Sequence, residues 1–314
     1  MQVILDNQFE DLDLLNARTQ AWNLDFRLLQ GGGFSGRIRQ VAVPELLITF
    51  AHFGSKLYQA GTTPPGYRTF AIPCGGYDFW WLGFEIDSRS VMRFGADSEL
   101  ACVSGGDFAV YTLSVSNQYL ERLTDSLGVP HPDADRGVNH IAATEMAELV
   151  RLARTAVFMT NGPPRDIAAQ RFAERLLVYC SGGDMIQRHR FGGRDKAIKR
   201  VIAYLDAHHH TQPSMAHLCE IAHVSERTLQ YAFKARFGVT PNQFVRCWKL
   251  NVARRLLKSS PHNGRSIASL AAECGFLDPS AFARHYQLLH GELPSATAVG
   301  THSDSAKATT KSRF

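Results

Sequence analysis

Two short stretches of the chain place polar and basic side chains along one face of a helix. In the first, Ser225 can begin the helix because its hydroxyl accepts a free backbone N–H. Leu229 and Phe233 then recur on the side that would be buried. The opposite side carries Arg227, Thr228, Gln230, Tyr231 and Lys234. Side chains of these types bind base edges and phosphates when a helix lies in the major groove of DNA.

The second stretch repeats this arrangement about 50 residues further along the chain. Gly275 lies at the turn, where a positive φ is often required, and Asp278 followed by Pro279 is a favoured helix start. The residues that face outward are Ser280, Ala281, Arg284 and His285. Each stretch follows a shorter amphipathic helix, so each predicts a helix-turn-helix unit.

A long helix from Thr240 to about Leu257 joins the two units. At 1.5 Å per residue it spans about 26 Å, which is near the roughly 34 Å of one DNA turn. The pair is therefore expected to read neighbouring stretches of one groove. Basic residues on the joining helix are candidates for phosphate contacts or, alternatively, form a solvated face. They are Arg246, Lys249, Arg254, Arg255 and Lys258.

Charge is distributed unevenly over the 314 residues, a length that allows two separate cores. Residues 195–300 hold thirteen Lys and Arg against seven Asp and Glu, a net +6, whereas residues 1–194 carry −3. A basic C-terminal third fits a nucleic-acid module attached to another domain; ordinary surface charge is the alternative. Six cysteines without a Cys-x-x-Cys pair favour a reducing cytoplasm. The acidic start at 6–13 does not resemble a signal peptide, and no apolar run is long enough to cross a membrane.

The N-terminal half has a different texture. Between Arg37 and Ser114, short apolar runs alternate with turns rich in Gly and Pro, which indicates antiparallel strands. The expected fold is an antiparallel sandwich or barrel, and a small barrel can hold a ligand in its mouth. Amphipathic segments at 141–159 and 167–180 predict a helical hairpin, suited to dimerisation or to relaying a signal. The glycine-rich segment 181–194 predicts a linker.

An aromatic cluster in the strands is the candidate wall of a ligand pocket. It comprises Phe50, Phe53, Tyr77, Phe79, Trp80, Trp81 and Phe84. Because neighbours on a strand face opposite sides, only one of the two tryptophans can face the barrel interior. Ordinary hydrophobic core is the alternative. Arg39, Glu45 and Glu85 are candidates for anchoring a charged effector, and the sequence does not choose among them.

Residues 195–295 resemble the DNA-binding domain of the AraC/XylS family of bacterial transcription regulators. In the first unit the resemblance rests on Val224-Ser225, Thr228-Leu229-Gln230, Ala232-Phe233-Lys234, Phe237-Gly238 and Pro241, followed by Arg254-Arg255-Leu256-Leu257. In the second it rests on Ile267, Leu270-Ala271, Cys274-Gly275-Phe276, Asp278-Pro279-Ser280, Phe282 and Arg284. The departures from the family pattern are Tyr231, Lys249, Gln287, Leu288, His290 and Leu293. The late ones predict a weaker phosphate grip by the second unit.

The N-terminal half resembles the cupin-like sensor domain of such regulators. Together the resemblances imply a two-domain α+β protein with an N-terminal antiparallel β-barrel plus helical hairpin and a C-terminal all-α double helix-turn-helix. They place an effector-binding and dimerisation domain at 1–180, a linker at 181–194, a DNA-binding domain at 195–300 and a disordered tail at 301–314. The implied protein is a cytoplasmic homodimeric activator. Its implied partners are double-stranded promoter DNA, a small-molecule effector and RNA polymerase.

Two other classes of function are alternatives to this one. A metal-dependent cupin enzyme needs a close His-x-His pair, whereas His52, His131 and His140 lie far apart. No Ser/His/Asp or Cys/His constellation stands out either, so no catalytic residue, metal or cofactor is expected. An architectural DNA-binding protein without an effector is the third class, and the length of the N-terminal half argues against it.

Overall fold

The computed structural model describes residues 2–19, 22, 24–76, 79–81, 84–95, 99–132, 137–159, 162–182, 184–186, 192–208, 210–259 and 266–298. The chain divides into two compact units. The first comprises residues 1–26 and 35–190, and the second comprises residues 27–34 and 191–314. The short segment 27–34 thus belongs with the C-terminal unit although it lies early in the sequence.

The strands that the structure describes lie before residue 187. They are β1 Gln2–Phe9, β2 Asp25–Leu28, β3 Gly36–Val43, β4 Leu46–Phe53, β5 Leu57–Thr62, β6 Tyr67–Gly75, β7 Phe79–Trp81, β8 Phe84–Ile86, β9 Ser90–Arg93, β10 Glu99–Ser104, β11 Phe108–Ser116, β12 Gly137–His140 and β13 Asp184–Ile186. They form an eight-stranded sheet in the order β1-β3-β4-β11-β6-β9-β12-β13 and a five-stranded sheet in the order β2-β5-β10-β7-β8.

The centre of the larger sheet is built from antiparallel neighbours with opposed faces. β3 and β4 form a hairpin in which Val43 pairs with Leu46, and the turn residue Glu45 has φ +66°. On β4, Ile48 is fully buried on one face and Ala51 is buried on the other. This alternation follows from the two-residue period of a strand, and it leaves both faces of the sheet covered.

Four helices accompany the strands: α1 Leu12–Arg18, α2 Asn117–Leu127, α3 Ala143–Phe158 and α4 Pro163–Gly182. The last three pack on one face of the larger sheet. Their buried residues, among them Leu149 and Phe172, share one hydrophobic core with Ile48, Phe70 and Leu113 of the strands. The predicted helical hairpin is therefore present as α3 and α4, and its apolar stripe is buried within the unit.

The predicted barrel is not confirmed. The described strands form two separate sheets, and no pairing among them closes either sheet into a ring. The physical reason lies in the strand pairing: β5 and β10 pair with each other in the smaller sheet, while β4 and β11 pair in the larger one. The fold of this unit is established as sheet-rich and antiparallel, with helices on one side.

The second unit is helical. Its helices are α5 Gly193–Ala207, α6 Met215–Ala222, α7 Glu226–Phe237, α8 Pro241–Ser259, α9 Ile267–Glu273 and α10 Pro279–His290. The predicted linker 181–194 is partly regular structure. Ser181 and Gly182 end α4, and residues 184–186 pair with β12, because the backbone there finds hydrogen-bond partners despite its glycines. The predicted disordered tail at 301–314 lies outside the described residues.

Candidate nucleic-acid interface and ligand cavity

The first helix-turn-helix comprises α6 and α7, and local hydrogen bonds fix the turn between them. The Ser214 hydroxyl caps α6 by accepting from the amide of His217 at 3.2 Å. His223 takes the left-handed conformation at φ +54°, which lets the Val224 amide donate to the Cys219 carbonyl at 3.2 Å. Ser225 then caps α7 through the Thr228 amide at 3.3 Å. These bonds satisfy backbone groups that helix ends leave open.

The apolar face of α7 anchors it in the unit. Leu229, Phe233 and Phe237 are essentially buried. The ring of Phe237 lies 4.4 Å from that of Phe244 on α8, and Phe233 lies 5.2 Å from the same ring. Aromatic contacts at these separations add to the burial energy. The inner face of α7 is thus fixed against the joining helix, which leaves its opposite face for solvent.

The outer face of α7 brings together the five predicted residues. Arg227, Tyr231 and Lys234 are exposed, while Thr228 and Gln230 are half-buried. The Arg227 guanidinium lies 5.6 Å from the centre of the Tyr231 ring, a cation–π distance. An open groove along this face is lined by Arg227, Gln230, Tyr231 and Lys234 together with Glu226 and Thr240. Thr228 is turned partly inward, since its hydroxyl lies 3.0 Å from that of Ser225.

The second helix-turn-helix comprises α9 and α10. Gly275 has φ +78°, and the amide of Phe276 donates to the Ala271 carbonyl at 2.9 Å. Asp278 caps α10 by accepting from the amides of Ser280 at 2.8 Å and Ala281 at 3.2 Å. The sequence-predicted start of this helix, with Pro279 in its first turn, is therefore found.

The four predicted contact residues of α10 lie away from its buried face, which is formed by Phe282, Tyr286 and Leu289. Ser280 and Arg284 are exposed, while Ala281 and His285 are half-buried. Partial burial lowers the pKa of His285, and the nearby guanidiniums of Arg246 and Arg284 lower it further. The two arginines thus form a cationic group beside a neutral imidazole, and an anion such as phosphate would favour the charged form of that imidazole.

Two of the five basic residues on α8 are structural. Lys249 is only 2% exposed. Its Nζ lies so close to Gly275 that a Cβ on that glycine would be only 2.6 Å from it. Arg254 is buried and forms an ion pair with Glu292 at 2.5 Å. The prediction of phosphate contacts is wrong for both, because the two side chains are buried within the helical unit. Arg246, Arg255 and Lys258 remain at least partly accessible.

The departures from the family pattern near the end of α10 divide in the same way. Gln287, Leu288 and Leu293 are exposed. His290 is buried, and its Nε2 lies 3.3 Å from the Leu250 carbonyl. His290 is therefore a core residue of the second unit, whereas the other three lie on its surface.

The first unit contains a cavity of about 80 Å³. Residues of both sheets and of the segment before β2 line it, and most are apolar: Leu5, Arg18, Thr19, Trp22, Leu24, Phe26, Ile38, Gln40, Thr49, Ala51, Phe53, Gln59, Ala71, Met92, Phe94, Cys102, Phe108, Val110 and Thr112. The volume suits a small molecule or a few waters.

A polar row crosses one wall of this cavity. Thr49 pairs with Gln40 on β3 and with Thr112 on β11, and the Gln40 amide donates to the Thr49 hydroxyl at 2.9 Å. The Thr112 side chain is 9% exposed, and its hydroxyl has no hydrogen-bond partner in the described part of the chain. A buried hydroxyl in this state favours a polar group beside it. Sequence reasoning missed the row; alternation on β3 and β4 was the available signal.

Of the aromatic residues predicted to line a pocket, Phe53 lines this cavity, whereas Phe50, Trp81 and Phe84 do not. Phe50 points to the opposite face of β4, where its ring lies 5.2 Å from those of Tyr111 and Phe158. Trp81 and Phe84 are buried and stack on each other at 6.3 Å. Both serve as core beside the cavity. Phe79 and Trp80 belong to β7, but their side chains, and Tyr77 as a whole, lie outside the described residues.

The predicted effector anchors are engaged elsewhere. Arg39 pairs with Asp6 and donates to the Val157 carbonyl at 2.8 Å. Glu45 lies at the surface turn and pairs with Arg122 at 2.6 Å. The side chain of Glu85 lies outside the described set. Within the described ranges, no cluster of three His, Cys, Asp or Glu side chains is placed to hold a metal. No described helix is long and apolar enough to cross a membrane.

The geometry defines a class: two capped helix-turn-helix units joined by one helix, each with a polar outer face, as in DNA-binding proteins. Comparison with known proteins agrees. The family described as "Helix-turn-helix domain" matches residues 218–298. An XylDLEGF operon transcriptional activator of Pseudomonas putida is 33% identical over 125 residues, 40% of this chain and 38% of that protein. A second P. putida activator of that operon is also 33% identical, and the match takes in 78% of its length.

The chain belongs to the AraC/XylS family of transcription regulators. The match takes in less than half of the first relatives, 38% of the P. putida activator and 48% of RhaR from Salmonella dublin at 28% identity. Among solved structures, the AdpA DNA-binding domain in complex with target DNA aligns over 35% of this chain and 95% of its own, at 28% identity and a TM-score of 0.32. The AraC-like activator CuxR aligns over 86% of this chain and 100% of its own, at 14% identity and 0.42.

Proposed function

We propose that this protein is a sequence-specific transcription activator that a small-molecule effector controls. The observation that carries the DNA-binding part is the paired geometry of α7 and α10. Both helices are capped at their N-termini and buried on one face, and both hold their polar residues on the other. Helices of this kind enter the major groove with these residues toward the bases.

In this proposal the first helix-turn-helix reads bases mainly through Arg227 and Gln230. Arginine suits guanine because it donates two hydrogen bonds to O6 and N7, and glutamine suits adenine for the same geometric reason. Lys234 and the cationic group around Arg284 contact phosphates. The activators among the relatives support activation rather than repression, and RNA polymerase is then the partner that responds to the bound protein.

The cavity in the N-terminal unit is the proposed effector site. Its mostly apolar wall and the polar row of Gln40, Thr49 and Thr112 suit a small molecule that is mostly apolar and carries one or two hydrogen-bonding groups. The unpartnered Thr112 hydroxyl would meet one of those groups. We further propose that the protein acts as a cytoplasmic homodimer, as the family resemblance implies.

DNA binding is tested with the full chain. The wild type is used to select binding sequences from a random double-stranded pool, and the enriched sequence is titrated at fixed salt. Arg227→Ala and Arg284→Ala should each lower affinity by about 1–3 kcal/mol. Arg171→Ala removes the same charge from an exposed position of the first unit and serves as the control. Wild-type affinity in both helix variants would reject the assignment of the groove-facing residues.

Effector binding is tested by thermal shift with a library of small metabolites. A ligand at 100 times its Kd should add about 2.7 kcal/mol to the free energy of unfolding. Ala51 lines the cavity, and Ala51→Phe should remove the shift by filling the space. Ala109 directly precedes the cavity residue Val110 on β11, so its side chain faces the other side of the sheet; Ala109→Ser is the control that leaves the cavity unchanged. A shift that survives Ala51→Phe would place the ligand elsewhere.

A further inference from the structure

Residues 27–34 belong to the helical unit, although the chain before and after them belongs to the sheet-rich unit. We propose that this segment, here called the brace, fixes the second helix-turn-helix against the joining helix α8. The brace would thereby make the placement of α10 on DNA depend on the N-terminal unit. The inference rests on the proposed DNA-binding function and adds an element that supports α10 against α8.

The first half of the brace is held by α8. The Arg27 guanidinium lies 3.4 Å from the centre of the Trp248 ring and pairs with Asp206 at 3.1 Å. Asn251 bonds the backbone of Leu28 in both directions: its side-chain oxygen accepts from the Leu28 amide at 3.1 Å, and its amide donates to the Leu28 carbonyl at 2.9 Å. Stacking, an ion pair and a two-way amide bond together specify one register for the segment.

Most of the residues that make these contacts are buried. Leu28 and Leu29 are only 1% and 2% exposed. The Cys247 thiol donates to the Leu29 carbonyl at 3.5 Å. Asn251 itself is 4% exposed, so its amide would be left without these partners if the brace moved away. Leaving such buried groups unsatisfied is costly, which favours the docked state.

The second half of the brace is held by the end of α10. The Gly32 amide donates to the Leu288 carbonyl at 3.2 Å. Gly31 packs so closely that a Cβ on it would overlap the same carbonyl oxygen, and Gly33 lies 3.6 Å from the position of a Cβ on Gly291. A helix leaves its last carbonyls without partners inside the helix. The brace donates a hydrogen bond to one of these carbonyls, that of Leu288. It therefore contacts both α8 and α10.

The residues before the brace connect it to the ligand cavity of the sheet-rich unit. Thr19, Trp22, Leu24 and Phe26 line the cavity of the first unit, and Arg27 follows Phe26 directly. The chain therefore changes within one peptide bond from cavity wall to brace. A ligand that shifts the wall acts on a segment that is covalently continuous with the support of α10, and an effect of this kind requires only that the ligand favour one of two arrangements.

Gly31→Ala in the full-length protein is the main test, because the added methyl group must displace either the brace or the Leu288 carbonyl. Gly182→Ala is the matched control, since a Cβ there meets nothing within 4 Å. Arg27→Gln is a second variant that removes the stack and the ion pair without changing α8 or α10. Hydrogen exchange of the free proteins and footprints on DNA selected by the wild type are compared.

We expect faster exchange at the Gly32 amide and over 284–292 in both brace variants. Protection of the DNA segment read by α10 should weaken by roughly 5- to 150-fold, the usual range of coupling between sites, while the segment read by α7 stays protected. Unchanged exchange and footprints would overturn the brace. So would equal loss of both DNA segments, which indicates general destabilisation. If the wild type selects no DNA, the proposed function fails, and the exchange comparison alone decides whether the brace holds α10.

Discussion

The two helix-turn-helix units share one plan but are supported differently. The first is held by apolar packing: Phe233, Phe237, Phe244 and Trp248 form a continuous series of ring contacts between 4.4 and 5.5 Å. The second also has ring contacts, with Phe276 lying 5.1 Å from Phe282. The second helix-turn-helix, however, also packs against buried polar side chains, among them Lys249, Arg254 and Thr297.

The polar support of the second unit forms two clusters. In one, Arg254 pairs with Glu292, which accepts from Thr297 at 2.8 Å, and the Tyr286 hydroxyl lies 2.8 Å from that of Thr297. In the other, the Lys249 ammonium lies under the Gly275 turn. Apolar packing is non-directional, whereas buried polar groups depend on orientation. The first helix-turn-helix is thus held by apolar packing. The second depends on oriented polar contacts, which a small shift of the backbone can disturb.

Removing the shared aromatic support should have the largest effect. Phe244→Ala empties the position that contacts both Phe233 and Phe237, and we expect a loss of about 3–5 kcal/mol in the free energy of unfolding. Chemical denaturation of the full chain measures this loss. Phe50→Ala, in the first unit, is the control for a change that should leave the helical unit's own transition in place. A loss below about 1 kcal/mol would contradict the apolar basis of the first reader.

Breaking the ion pair of the second unit should cost less and act more locally. Arg254→Ala removes the partner of the half-buried Glu292, and we expect a loss of about 1.5–3 kcal/mol, the usual range for hydrogen bonds to charged groups. The pH dependence should change as well. Arg254 helps to lower the pKa of Glu292, against the effect of its burial, so wild-type stability from this pair is lost as pH falls through the folded pKa. Arg255→Ala, at an exposed neighbouring position, should change neither the free energy of unfolding nor its pH dependence.

The sequence predicts what depends on local signals. Ser225 and the pair Asp278–Pro279 mark the starts of α7 and α10 because capping is decided within three or four residues. The polar faces of both helices follow from periodicity. The burial of Lys249 could not be predicted in this way, because its surroundings come from a turn 26 residues later in the chain. Basic residues on a long helix usually remain solvated.

The N-terminal half shows the same limit more strongly. Its strands are predicted from alternation and turns, yet the face of Phe50 depends on which side of β4 the helices cover, and that is a tertiary property. The brace is the extreme case. The bond between Leu28 and Asn251 joins residues 223 positions apart, and no pattern in the segment itself indicates which domain it joins.

The buried amine of Lys249 should make the free energy of unfolding of the helical unit depend on pH. Burial lowers the pKa of Lys249 from 10.5 to about 8. Between these values the unfolded chain binds more protons than the folded one, so the free energy of unfolding from this group rises with pH. Relative to Lys249→Met, the wild type should gain about 1 kcal/mol between pH 8 and pH 9. Parallel pH profiles for the two proteins would show that the amine is not buried in solution.

The smallest expected effect concerns DNA binding by the second reader. Burial, Arg246 and Arg284 lower the pKa of His285 in the free protein. A phosphate at this position stabilises the charged imidazole, so the complex takes up a proton and affinity should rise as pH falls below the ordinary value of 6.5. The gain is less than about tenfold per unit of pKa difference. His285→Gln should abolish it, whereas His217→Gln, at an exposed position of α6, should not. A pH-independent wild type would mean that α10 approaches DNA without bringing His285 to a phosphate, and the cationic group would then belong to the protein surface alone.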